Sequence, residues 1–155
     1  MSFLSPRNRA EASDRLAGMT GWAAALAASI YALKVMEAYA GETLAGYLDR
    51  AQLVGGLMIL VVFLPAFFII KRRFGGPPIN PWKEDGFMSL AIQRAGLTGF
   101  ATTFIVLTVL TTLDRLVLSR MAAEVLLDLV ITIALASFAF SFFIFSRDSD
   151  AGEAV

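Results

Sequence analysis

Two residue types are missing altogether from this 155-residue chain, which has no cysteine and no histidine. Their absence removes disulfides, thiolate nucleophiles, imidazole bases, histidine-ligated haem and the usual zinc sites together, and most catalytic repertoires go with them. Charge is scarce as well. Only 17% of residues are charged, and thirteen basic residues balance thirteen acidic ones, so overall charge predicts no direct attraction to nucleic acid and only its placement informs. A phosphate-binding loop is also lacking, because no Gly-Lys-Ser/Thr sequence follows a strand. No enzyme activity and no cofactor or metal are expected. What the chain does contain is apolar: 57% hydrophobic residues and a mean hydropathy of +0.70 exceed what a soluble domain of this length carries.

Four apolar runs are each long enough for a helix of about 20 residues to cross hydrocarbon. They cover about Ala17 to Ala38, Leu53 to Ile70, Ala95 to Leu113 and Val125 to Ser146. The second and third carry no charge, and the fourth carries only Asp128. Acidic and polar residues in "MSFLSPRNRAEASDR" argue against a signal peptide. Nine lysines and arginines fall on the side holding the N-terminus, the central loop and Arg147, against four (Lys34, Arg50, Arg115 and Arg120) on the other. Basic residues in short loops stay cytoplasmic, so both termini are expected there. Tyr31, Tyr39 and Tyr47 cluster toward the outer face, with Trp22 and Trp82 toward the inner one.

The phrase "AGMTGWAAAL" at Ala17 to Leu26 returns as "AGLTGFATTF" at Ala95 to Phe104. Each copy opens a span that is followed by a short outer loop and a returning span. The expected fold is therefore an all-α integral membrane protein, with four transmembrane helices arranged as a duplicated two-helix hairpin. Two spans per unit preserve direction, which makes this a parallel repeat about an axis along the membrane normal. The implied organisation is a cytoplasmic N-terminal segment over 1–16, a first hairpin over 17–70, a cytoplasmic loop with an interfacial helix over 71–94, a second hairpin over 95–146 and a disordered cytoplasmic tail over 147–155. Within the phrase, Ala17 and Gly21, like Ala95 and Gly99, are small residues four apart, the spacing that lets two backbones approach closely in lipid. These two faces are expected to meet each other near the inner leaflet as the centre of a four-helix bundle. Thr20 and Thr98 could bond across that contact or back to their own helices.

Three intramembrane polar candidates stand out. Asp128 lies one turn after Glu124, near the outer start of the fourth span, where the helix dipole favours a carboxylate and Arg115 or Arg120 could reach it; structural anchoring and a proton or ligand role are both open. Lys34 and Glu37, one turn apart, are expected to pair with each other and snorkel to the outer boundary. The third span carries Thr98, Thr102, Thr103, Thr108, Thr111 and Thr112, as a hydroxyl path or as groups bonded within and between helices. Pro65 should kink the second span. In the inner loop, Lys71, Arg72 and Arg73 suit anionic headgroups, and with Trp82 they form the candidate contact for lipid or a partner. "GGPPINP" must turn or extend. Phe87, Leu90, Ala91 and Arg94 suggest a short amphipathic helix lying at the interface, with an elbow into the third span.

"KEDGFMSLAIQRAGLTGF", the apolar span after it and the returning span ending "FFIFSR", mainly Lys83 to Arg147, resemble small bacterial and archaeal predicted membrane proteins of unknown function, built from a charged helix leading into a two-helix hairpin. Their acidic and arginine run is denser than the Glu84, Asp85 and Arg94 found here. Genes of that kind often lie beside a small helix-turn-helix regulator, which the resemblance implies as a candidate cytoplasmic partner; it transfers no functional residues. The leading expectation is a non-enzymatic inner-membrane protein acting through protein contacts, as a regulatory partner or an accessory subunit, with itself or another membrane protein as partner. The alternative is a small dimeric transporter or channel.

Overall fold

The computed structural model describes residues 6–72, 79–82, 87–113 and 121–147. The first helix starts at a polar cap. The Asn8 side chain accepts the backbone N–H of Glu11 (2.7 Å), and the Glu11 carboxylate accepts the N–H of Arg7 (2.7 Å) and binds Arg15. Both contacts satisfy donors that a helix start would otherwise leave unpaired. From there α1 runs Arg9–Glu37, 29 residues or roughly 43 Å at 1.5 Å per residue, longer than a hydrocarbon core of about 30 Å. The surplus lies at its N-terminal end, where Ala12, Ser13 and Leu16 are buried. Residues 9–16 thus form one body with the first span.

A four-residue link leads to α2 (Glu42–Met58), a π-helical turn (Ile59–Phe63) and α3 (Leu64–Arg72), which together make the second span. Pro65 explains the turn. It has no N–H, and its ring crowds the carbonyl four residues back, so a regular ladder through this point is impossible. The chain inserts one extra residue instead: Leu64 N–H bonds the Ile59 carbonyl, and Pro65 falls in the first turn of α3, where a missing donor costs least. The expected kink is thus realised as a π turn. Third and fourth spans are α4 (Phe87–Thr112) and α5 (Ala123–Arg147). Four helices are long and apolar enough to cross a membrane, so the chain has the make-up of a multi-pass membrane protein.

The expected elbow before the third span is absent. Phe87 to Thr112 is one helix, because no breaker separates the amphipathic stretch from the span and because Ala91, Ile92 and Ala95 are buried along a single side. Packing is also not two-fold. α1 packs most on α5, then on α2, and less on α4 and α3, whereas α4 packs on α5 and has no extensive contact with the second span. A parallel repeat would match the α1–α5 contact with an equal one between α4 and the second span. Instead α1 and α5 form the central pair, with one hairpin arm on either side. The tail beyond Arg147, Arg73, and Arg115 and Arg120 lie outside the described residues.

Candidate functional site

The small faces do not meet as expected. A Cβ at Gly21 would lie 2.3 Å from Phe142 Cδ1, and a Cβ at Gly99 would lie 3.2 Å from Phe138 Cβ and 3.5 Å from the Ala134 carbonyl oxygen. Both glycines therefore face α5, whose Phe138 and Phe142 stand one turn apart. Gly21 and Gly99 are not in mutual contact as the centre of the bundle; α5 occupies that centre. Ala17 and Ala95 do share a cluster, fully buried with Ala91, Ile92 and Phe142. The first and third spans thus approach each other near Ala17 and Ala95, sealed by the Phe142 ring. Thr20 and Thr98 donate to the Leu16 and Arg94 carbonyls of their own helices (2.8 and 3.0 Å), so neither bridges the two copies. Trp22 meets Phe143 edge-on, with centroids 4.9 Å apart.

At the end of the bundle where α1 meets α2, the polar residues pair differently from their spacing. Lys34 Nζ lies 3.9 Å from Asp128 Oδ1, joining α1 to α5. Glu37 accepts from Gln52 Nε2 at 2.5 Å, joining α1 to α2. The expected Lys34–Glu37 pair is replaced by two contacts between helices, because each partner helix offers a better-placed group than the weak one-turn pair within α1. Along α4, Thr103, Thr108, Thr111 and Thr112 donate to carbonyls four residues back, as Thr98 does. Their hydroxyls are used within the helix, which removes the basis for a hydroxyl-lined path.

The opposite end of the bundle holds a plug that the sequence did not announce. Ile79 is fully buried among Ala12, Leu16, Met19 and Ile70, and its N–H bonds the Lys71 carbonyl (3.3 Å). Lys71 Nζ lies 5.4 Å from the centre of the Phe67 ring; Arg72 is exposed beside it. Trp82 is half exposed, yet it is also used internally: its ring stacks at 6.5 Å from Phe138 and covers Gly96, and its carbonyl accepts Gln93 Nε2 at 2.8 Å. The Asp14 carboxylate faces the backbone N–H of Met88 at the start of α4, where the helix dipole favours negative charge. Asp14 and Ile79 were missed because a carboxylate facing another helix and an apolar residue between prolines have no periodic signature. Among the described residues, no three acidic side chains gather to hold a metal ion. No protein-family profile matches this chain, and neither a curated protein nor a solved structure shows significant similarity to it.

Proposed function

We propose that this chain is a non-enzymatic protein of the bacterial inner membrane that acts through protein contacts, as a regulatory partner or an accessory subunit of a membrane complex. One observation carries the reading. Among the described helices only α1 packs extensively on the second span, and Leu53, Val54, Leu57, Leu60, Val61 and Leu64 are exposed along it. In lipid such a face can seat a partner helix through dispersion contacts. A photoreactive residue at Leu57 or Val61, irradiated in native membranes, should yield a discrete protein adduct that the same residue at Phe100 on α4 does not. Lipid adducts alone at all three positions would overturn the proposal. A dimeric transporter is the second reading, favoured by the Lys34–Asp128 pair, an ion pair within the helical bundle.

In this proposal both termini are cytoplasmic, the basic inner loop faces anionic lipid and a cytoplasmic regulator, and the two hairpins descend from a duplication. The nine-to-four distribution of basic residues supports the orientation. A phosphatase fused after Val155 should be inactive and one inserted between Gly41 and Thr43 active. The reverse pattern would refute the topology.

A further inference from the structure

A groove of about 630 Å³ opens between α1 and the π turn, lined by Arg15, Gly18, Met19 and Trp22 on one side and by Val61 to Phe63, Pro65 and Ala66 on the other. That volume lies within the roughly 300–1,000 Å³ of small-molecule sites. Most of the second wall comes from the one irregular stretch of the four spans. The π turn and Pro65 break the regular face that α3 would otherwise lay against α1, and π turns are frequent at functional sites.

The groove is amphiphilic along its length. Arg15 stands at one end, two turns of α1 or roughly 10 Å from Trp22, and every other lining side chain is apolar. Gly18 leaves the floor open: a Cβ there would meet nothing within 4 Å. Lys71 and Arg72 lie in the last turn of α3, and Ile70 beside them packs with Ala12, Leu16 and Met19 of α1, so they add positive charge at the same end of the bundle as Arg15. An occupant must therefore be slender and apolar with a negative head. Trp22, 62% exposed at the rim, obstructs a second helix about 10 Å across but can lie along a single hydrocarbon chain.

We propose that this groove seats one anionic phospholipid from the leaflet at the N-terminal end of α1, its phosphate on Arg15 and one acyl chain running over Gly18 toward Trp22 and Val61. Arg15 is salt-bridged to Glu11, and the five N–H groups of a guanidinium allow it to bridge a carboxylate and a phosphate at once. The lipid fills the space that the π turn creates between α1 and the second span.

The test uses the full-length protein, delipidated in detergent and titrated with phosphatidylglycerol or phosphatidylcholine, with bound lipid counted by native mass spectrometry. One phosphatidylglycerol per chain should bind about tenfold tighter than phosphatidylcholine, because both bring a phosphate to Arg15 but the choline cation of the latter offsets its attraction to the positive charge there. Gly18→Leu should lose that adduct while keeping the wild-type melting temperature without lipid. Gly56→Leu, where a Cβ also meets nothing, should keep it. Arg15→Gln should bind both lipids equally, and Arg15→Lys should restore the preference. Equal binding of the two lipids by the wild type, or an undiminished adduct in Gly18→Leu, would overturn the proposal.

Discussion

Gly21→Leu should cost this protein more stability than any other single substitution in the first span, by about 3 kcal/mol, the upper end for overpacking. A Cβ at position 21 alone would stand 2.3 and 2.6 Å from two carbons of the Phe142 ring, far inside van der Waals contact. A side chain can often move aside, but Phe142 cannot do so freely. It is 2% exposed and enclosed by Ala17, Ala91, Ile92 and Ala95, so relief must come from separating α1 and α5. That separation forfeits dispersion contacts along one of the two most extensive interfaces of the fold, and such contacts are a main force holding helices together in lipid. Thermal unfolding in detergent should show the loss for Gly21→Leu and none for Gly18→Leu, less than one turn away on the open side. Gly99→Leu should also destabilise, by about 1–3 kcal/mol, because its obstacles include the α5 backbone at Ala134 and Phe138. Phe142→Leu should partly rescue Gly21→Ala, since the smaller side chain vacates the space the new Cβ needs. A wild-type melting temperature for Gly21→Leu would show that α1 and α5 do not pack in this way.

The glycines illustrate what was legible and what was not. Span number and approximate position follow from hydropathy alone, because a charge-free run of some 20 residues has few other uses. A pair of small residues four apart also announces a close approach. It does not say to what. The repeated phrase invited the pairing of its two copies, yet the surface complementary to a glycine notch is a bulky knob, and the knobs are Phe138 and Phe142 on α5. Their row was readable as an aromatic stretch but carried no label of its partner. Helix ends were missed for a similar reason. Asn8 and Glu11 form a capping pair visible in the sequence, but hydropathy places the start where charge stops, eight residues later. The helix of the second span likewise begins at Glu42 and not at Leu53, since its polar first turns leave no hydropathy signal.

The loop between the second and third spans shows a different limit. Trp82 is offered by the sequence as part of a lipid or partner contact, yet its ring also packs against Phe138, and Ile79 is buried in the bundle. Isolated apolar residues in a polar loop have no period by which to assign them, although Ile79 becomes the plug of a cluster built from α1 and α3. Arg72 is exposed, while the Lys71 backbone is tied to Ile79.

Removing Lys34 and removing Asp128 should have unequal effects, although the two form one ion pair. The Asp128 side chain is 18% exposed and the Lys34 side chain 48%. A lysine left without its carboxylate can carry its ammonium along a flexible stem to the interface. A short aspartate fixed on α5 cannot follow. Lys34→Met should therefore destabilise by about 1–3 kcal/mol, the cost of leaving a partly buried charged group without its partner. Asp128→Asn should cost less than about 0.5 kcal/mol, as substitutions that leave no buried group unpaired do. With both charges gone, Lys34→Met combined with Asp128→Leu should return close to the wild type, because an apolar pair carries no desolvation penalty. That non-additivity, measured by thermal unfolding in detergent, marks a structural pair. A transport carboxylate would behave otherwise: Asp128→Asn would fold and express normally yet abolish solute or proton flux in proteoliposomes. Flux in the wild type that vanishes in Asp128→Asn would displace the contact-based function in favour of transport. A wild-type protein that moves no solute, together with the unequal single effects and the recovered double variant, would place the pair among the contacts that hold α1 to α5.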